Sequence, residues 1–234
     1  VAIAVNSATD IAKESADIIL LNKDLEVVIN GIRYGRTIFV NINKYIVYTM
    51  VNNFGTFVAL AVLYVFSANL PLLPIQILLT NILTDIPLVT IYSDTVETSD
   101  VISPEKHNVR QLLFISLILG IPTALFELCY FFIIHSQPLP VIQTSLYLYF
   151  TFIALIVFYA LRNKSYFWKA KRPSLLLNTS FIVAFLFSFI ITYIPLFQHW
   201  FHFASLSLPA VLTMLAVMVI YFITLDIIKV RYYS

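Results

Sequence analysis

Charge is scarce in this sequence: Asp, Glu, Lys and Arg make up 11% of the 234 residues, whereas 60% are hydrophobic. So few polar groups cannot coat a water-soluble globule, which excludes a soluble fold and implies a membrane protein. The single cysteine, Cys129, excludes a disulfide framework and a Cys-x-Cys metal site. Within an apolar run it reads as a buried thiol that only packs. The opening Val1-Ala-Ile-Ala-Val is too short for a secretory signal and lacks the basic flank of one.

What the chain has in abundance is apolar runs. A membrane-crossing helix needs roughly 20 such residues, and six stretches qualify, near 45–67, 71–92, 111–134, 143–161, 175–197 and 208–226. Lys and Arg favour the cytoplasmic ends of spans. Lys13, Lys23, Arg33, Arg36 and Lys44 precede the first; Lys106 and Arg110 separate the second and third. Arg162, Lys164, Lys169, Lys171 and Arg172 separate the fourth and fifth, and Lys229 and Arg231 follow the sixth. The connections near 67–70, 135–142 and 198–207 have no Lys or Arg, so both ends are expected on the cytoplasmic side. The cluster from Arg162 to Arg172 then suits anionic lipid headgroups rather than nucleic acid.

Ahead of the spans, Val1–Val5 and Asp17–Leu21 read as strands around a helix at Thr9–Ala16 with Asp10 in its first turn. Two strands cannot bury both faces, so this α/β piece is expected to continue in a longer molecule of which the chain is a truncated part. From Leu25 to Ser67 the pattern predicts one nearly continuous helix, interrupted only by Gly31 and Gly35.

The second span carries an acid, Asp85, where insertion of a charge costs about 2.5–3.5 kcal/mol. Asn81 and Thr84 share its sector of the helix, and hard cations prefer such oxygens. Pro87 has no N–H and frees the carbonyl of Leu83 one turn earlier, a further possible ligand. On the first span Asn53 and Thr56 lie three residues apart, with Thr49 a turn before, facing the same group; Asn52 points elsewhere. Glu127 in the third span is a possible secondary ligand but reads better as structural pairing, with Thr123 its one polar neighbour at helical spacing. Asp226 and Lys229 read as an interfacial ion pair, 94–105 as a solvated acidic run, and His199 with His202 as a loop pair that falls short of a zinc site.

The segments Val1-Ala-Ile-Ala-Val and Ala8-Thr-Asp-Ile-Ala-Lys-Glu-Ser-Ala-Asp-Ile-Ile-Leu20 resemble the stretch after the hinge motif of P-type ATPases. The likeness continues through Gly35-Arg36, Asn41-Ile-Asn-Lys-Tyr45, Asn52-Asn-Phe-Gly55, Leu73-Pro-Ile-Gln76 and Asn81-Ile-Leu-Thr-Asp85, similar to the fifth and sixth transmembrane helices of that family. Gly120-Ile-Pro-Thr-Ala-Leu-Phe-Glu127 most resembles the magnesium-transporting branch. Asn53, Asn81, Thr84 and Asp85 fall where calcium pumps of the family place metal ligands. Thr56 stands where those pumps have Glu, and Ile153-Ala-Leu-Ile156 where they have another.

The resemblance implies an all-α membrane protein of six transmembrane helices after a short α/β remnant of a haloacid-dehalogenase-like phosphorylation domain. Residues 1–30 would end that domain, 31–44 form a helical stalk, 45–228 the membrane domain and 229–234 a cytoplasmic tail. The full-length parent is then an ATP-driven cation pump, using ATP and Mg²⁺, with actuator, nucleotide and phosphorylation domains as partners. The Asp-Lys-Thr-Gly phosphorylation motif is absent from this chain, so it should be inactive alone. The implied role is to contribute ion-binding residues and the coupling helix, for a divalent cation such as Mg²⁺, in a plasma membrane. Open alternatives are a Ca²⁺, Mn²⁺ or H⁺ pump and a non-enzymatic six-helix channel or secondary carrier.

Overall fold

A computed structural model describes residues 1–22, 24–67, 69–103 and 108–233. Lys23 and Lys106, counted above among the flanking charges, and Glu105, the end of the acidic run, lie outside them. The order is β1 (Ile3–Val5), α1 (Asp10–Glu14), β2 (Ile18–Leu20), α2 (Leu25–Phe66), α3 (Pro74–Leu88), α4 (Thr98–Ile102), α5 (Val109–Ile134), α6 (Leu139–Leu161), α7 (Leu175–Ile190), α8 (Pro195–Phe201) and α9 (Leu208–Tyr233). Among the described residues six helices are long and apolar enough to cross a membrane, as the hydropathy of the sequence predicts.

The chain divides into two compact units, Val1–Val40 with Val96–Glu105, and Asn41–Thr95 with Lys106–Ser234. In the first, β1 and β2 pair in parallel with Ile3 opposite Ile18 and Val5 opposite Leu20. The carboxylate of Asp17 accepts the Ala2 N–H at 2.8 Å. Ile3, Ile18 and Ile19 remain exposed. Arg36 donates through Nη1 to the carbonyls of Val101 (3.0 Å) and Ile102 (2.6 Å), capping the C-terminal end of α4.

The second unit is organised around α6. Its residues are apolar on every side, and a helix without a polar face must be buried all round; Tyr147 to Leu155 are all at most 2% exposed. α3, α5, α7 and α9 pack against it. α2 and α5 meet through glycines. A Cβ on Gly55 would stand 2.6 Å from Cβ of Thr123, and one on Gly120 would stand 2.7 Å from the Phe54 ring and 3.3 Å from the Val51 carbonyl. Such small-residue contacts let membrane helices approach closely. Gly55→Ala is therefore expected to force the pair apart and destabilise the protein by about 1–3 kcal/mol, read as a lower unfolding midpoint in detergent.

Several sequence expectations change here. The fifth apolar run does not stay helical to 197: α7 ends at Ile190, a 3₁₀ turn follows, and α8 restarts at Pro195. Proline disfavours helical geometry in the residue before it, and Ile194 is extended (φ −86°, ψ 122°). His202 closes α8 in the left-handed region (φ 55°). Cys129 is exposed rather than buried, because Glu127 and Tyr130 occupy the inward face of α5.

The charges near the span ends are also more buried than expected. Asp226 and Lys229 pair at 2.5 Å, but both are at most 2% exposed, not interfacial. Lys229 also donates to the carbonyls of Ala160 (2.7 Å) and Ser165 (2.6 Å), tying α9 to the end of α6. Asp94, expected in a solvated run, is buried against Arg162 and Lys44.

Candidate cation site

α3 starts cleanly: Pro74 sits in its first turn, where no helical N–H is lost, and the Gln76 side chain accepts the Leu73 N–H at 3.1 Å. Gln76 also donates to the Phe201 carbonyl at 2.8 Å, fixing the N-terminal end of the helix. One helical turn further in, the sequence-predicted residues divide. Asn81 and Asp85, four residues apart, both face out of the bundle, whereas Thr84 turns inward and is buried. The Thr84 hydroxyl donates back to the carbonyls of Thr80 (3.0 Å) and Asn81 (3.2 Å), leaving its oxygen lone pairs available. Leu83 is buried. Pro87 withholds the donor its carbonyl would receive in a regular helix, and the chain tightens into a 3₁₀ turn from Val89.

Asp85 makes no hydrogen bond or ion pair with the described residues, but it is close enough to interact electrostatically with Tyr48 of α2. Asn53 of α2 is likewise turned outward. Asn53, Asn81 and Asp85 thus all lie on surface that the described residues leave uncovered. Groups of three or more His, Cys, Asp or Glu side chains able to hold a metal are absent among the described residues.

Thr56 has a different partner from the one expected of it. Its hydroxyl donates to Oε1 of Glu127 at 3.0 Å, joining α2 to α5. Glu127 is fully buried and its Oε2 has no hydrogen-bond partner among the described residues. It has more polar company than Thr123: Tyr149 of α6 and Tyr221 of α9 are near enough to sense its charge, and Tyr221 shares a 2.8 Å hydrogen bond with Thr123. Two more oxygens on α2, Thr49 Oγ1 and Asn52 Oδ1, are buried without hydrogen-bond partners among the described residues. Asn52 was passed over in the sequence, although 49, 52 and 56 follow the i, i+3, i+7 spacing of one helix face.

Residues 69–231 match the family described as cation transporting ATPase, C-terminus. The chain belongs to that family. It is a multi-pass integral membrane protein whose relatives are P-type cation ATPases. It is 37% identical over 131 residues to the magnesium-transporting ATPase, P-type 1, of Escherichia coli K12, covering 56% of this chain and 15% of the relative. Against a putative cation-transporting ATPase of Methanocaldococcus jannaschii the identity is 30% over 182 residues, covering 75% and 22%. Against a calcium-transporting ATPase of Bacillus subtilis it is 26% over 215 residues, covering 86% and 24%. The chain therefore spans less than a quarter of these relatives' length.

Proposed function

We propose that this chain is the C-terminal membrane part of an ATP-driven pump that moves a divalent cation, Mg²⁺ in the first instance. The observation that carries this reading is Asp85: an acid within an apolar span, flanked by Asn81 and Thr84 and facing away from its own bundle. Ionisable groups in spans almost always face protein or a water-filled cavity rather than lipid, so the open face of α2 and α3 suits further helices of a full-length protein. The names of the magnesium-transporting relatives favour Mg²⁺, an ion that dehydrates reluctantly and needs few protein ligands. Ca²⁺ is the second reading, favoured by the B. subtilis match along 86% of the chain.

On this reading Asn53, Asn81, Thr84 and Asp85 hold the cation, with the Leu83 carbonyl and Thr49 as further oxygens. The β1–α1–β2 piece ends a phosphorylation domain, and its exposed isoleucines would be covered by the rest of that domain. ATP and catalytic Mg²⁺ act there, and α2 carries the resulting motion towards Asn53. The chain alone would hydrolyse no ATP. Both ends face the cytoplasm of a cell whose plasma membrane holds the pump.

The test is ATP-driven uptake by the full-length protein in proteoliposomes, ion by ion. Mg²⁺ accumulation exceeding that of Ca²⁺ and Mn²⁺ supports the reading. Flux of any ion without ATP, through the six-helix chain by itself, favours a carrier and overturns it.

A further inference from the structure

Glu127 has no part in the site just described, yet it is the most deeply buried acid within the spans: 0% exposed, with one oxygen held by Thr56 and the other by nothing. A single hydroxyl donor needs only one acceptor. An amide would provide that without bringing a charge into a membrane interior, where charge costs at least about 2.5–3.5 kcal/mol. The second oxygen of the carboxylate is therefore unexplained by packing alone.

Its surroundings narrow what that oxygen can meet. The neighbouring polar groups are hydroxyls: Thr56 on α2, Tyr149 on α6 and Tyr221 on α9. Among the described residues no Lys or Arg pairs with it. Around α2, at about 100° per residue, Asn52, Thr56, Thr49 and Asn53 follow one another along a single polar flank. The buried oxygens of Thr49 and Asn52 have no hydrogen-bond partners, and Asn53 at its outer edge belongs to the cation site. Glu127 touches this flank at Thr56. Unpartnered oxygens, a carboxylate among them and no basic group, are the chemistry of a hard divalent cation.

We propose that Glu127 supplies a second carboxylate to the transport site, reaching the cation past Thr56 from the α5 side. This rests on the pump reading and adds to it a ligand from a helix that contributes none of the four residues above. The cation then meets two carboxylates, Asp85 on α3 and Glu127 on α5, the second by way of the Thr56 flank of α2.

The experiment uses the full-length protein and Mn²⁺ as an electron-spin probe displaced by Mg²⁺. Glu127→Gln keeps the size and the acceptor for Thr56 but removes the charge. Since loss of even an outer-shell partner weakens a metal site about 10–100-fold, at least tenfold weaker binding is expected. Thr56→Glu combined with Glu127→Gln moves the carboxylate across the 3.0 Å contact and should restore most of the affinity. Unchanged Mn²⁺ binding in Glu127→Gln overturns the proposal, as does a stable double variant with no recovery. If Glu127→Gln does not fold, Glu127→Asp, which draws the charge back by one methylene, is read in the same way. Should Asp85→Asn also leave binding unchanged, the cation-site reading itself has failed.

Discussion

Removing the Asp94 carboxylate by Asp94→Ala is expected to lower stability by about 3–5 kcal/mol, the usual loss when one partner of a buried ion pair is deleted. The Asp94 side chain is fully buried, and Arg162 grips it with two bonds, Nη2 to Oδ1 at 2.6 Å and Nε to Oδ2 at 3.2 Å. Lys44 of α2 adds a third at 3.1 Å. Asn41 donates to the Asp94 backbone carbonyl at 2.9 Å. Arg162, 5% exposed, also reaches the carbonyl of Lys171 and the Thr95 hydroxyl. The network thus joins α2, the segment after α3 and the end of α6. Truncating Asp94 leaves a buried guanidinium without its counter-charge, which is the expensive outcome; Asp94→Asn, retaining one acceptor, should lose less. Thermal unfolding of the purified protein in detergent measures both. A loss below about 1 kcal/mol, the range of exposed pairs, would mean that solvent reaches the network and that the joint is held by packing.

The same network shows where the sequence was legible and where it was not. Spans can be read because 20 apolar residues in a row have few other uses; all six appear, and the strands read at Val1–Val5 and Asp17–Leu21 are present as Ile3–Val5 and Ile18–Leu20. Asp94, Arg162, Asp226 and Lys229 looked like ordinary flanking charges. Their burial depends on which helix ends meet, and helical spacing within one segment does not contain that information. Asp226 and Lys229 were recognisable as a pair because they are three residues apart, but not as a buried one. Glu127 could be read as a structurally paired acid, but its partner, Thr56, could not be named, because it lies 71 residues away on another helix. Asn52 was a readable omission, since its spacing from Thr49 and Thr56 was available. The outward tilt of Asn53, Asn81 and Asp85 could not be read, because periodicity groups residues on a face without saying what covers that face.

Asp85→Asn in the full-length protein is expected to weaken cation binding by roughly 30- to 3,000-fold, the 2–5 kcal/mol lost when a desolvated charge pair loses one member, and so to abolish transport at ordinary cation concentrations. The substitution is nearly isosteric and leaves Asn81 and Thr84 in place, so the change is confined to charge. Stability gives the internal control. Asp85 makes no hydrogen bond or ion pair with the described residues, so Asp85→Asn should leave the unfolding midpoint where it was, or raise it by removing an uncompensated charge from the membrane interior. Asp85 is thereby separable from Asp94, the acid that follows α3. Asp94 is fully paired and stabilises the folded chain; Asp85 is unpaired within it and is available to a cation. Normal transport by Asp85→Asn, with a normal unfolding midpoint, would remove Asp85 from the pathway and with it the main support for a cation site between α2 and α3.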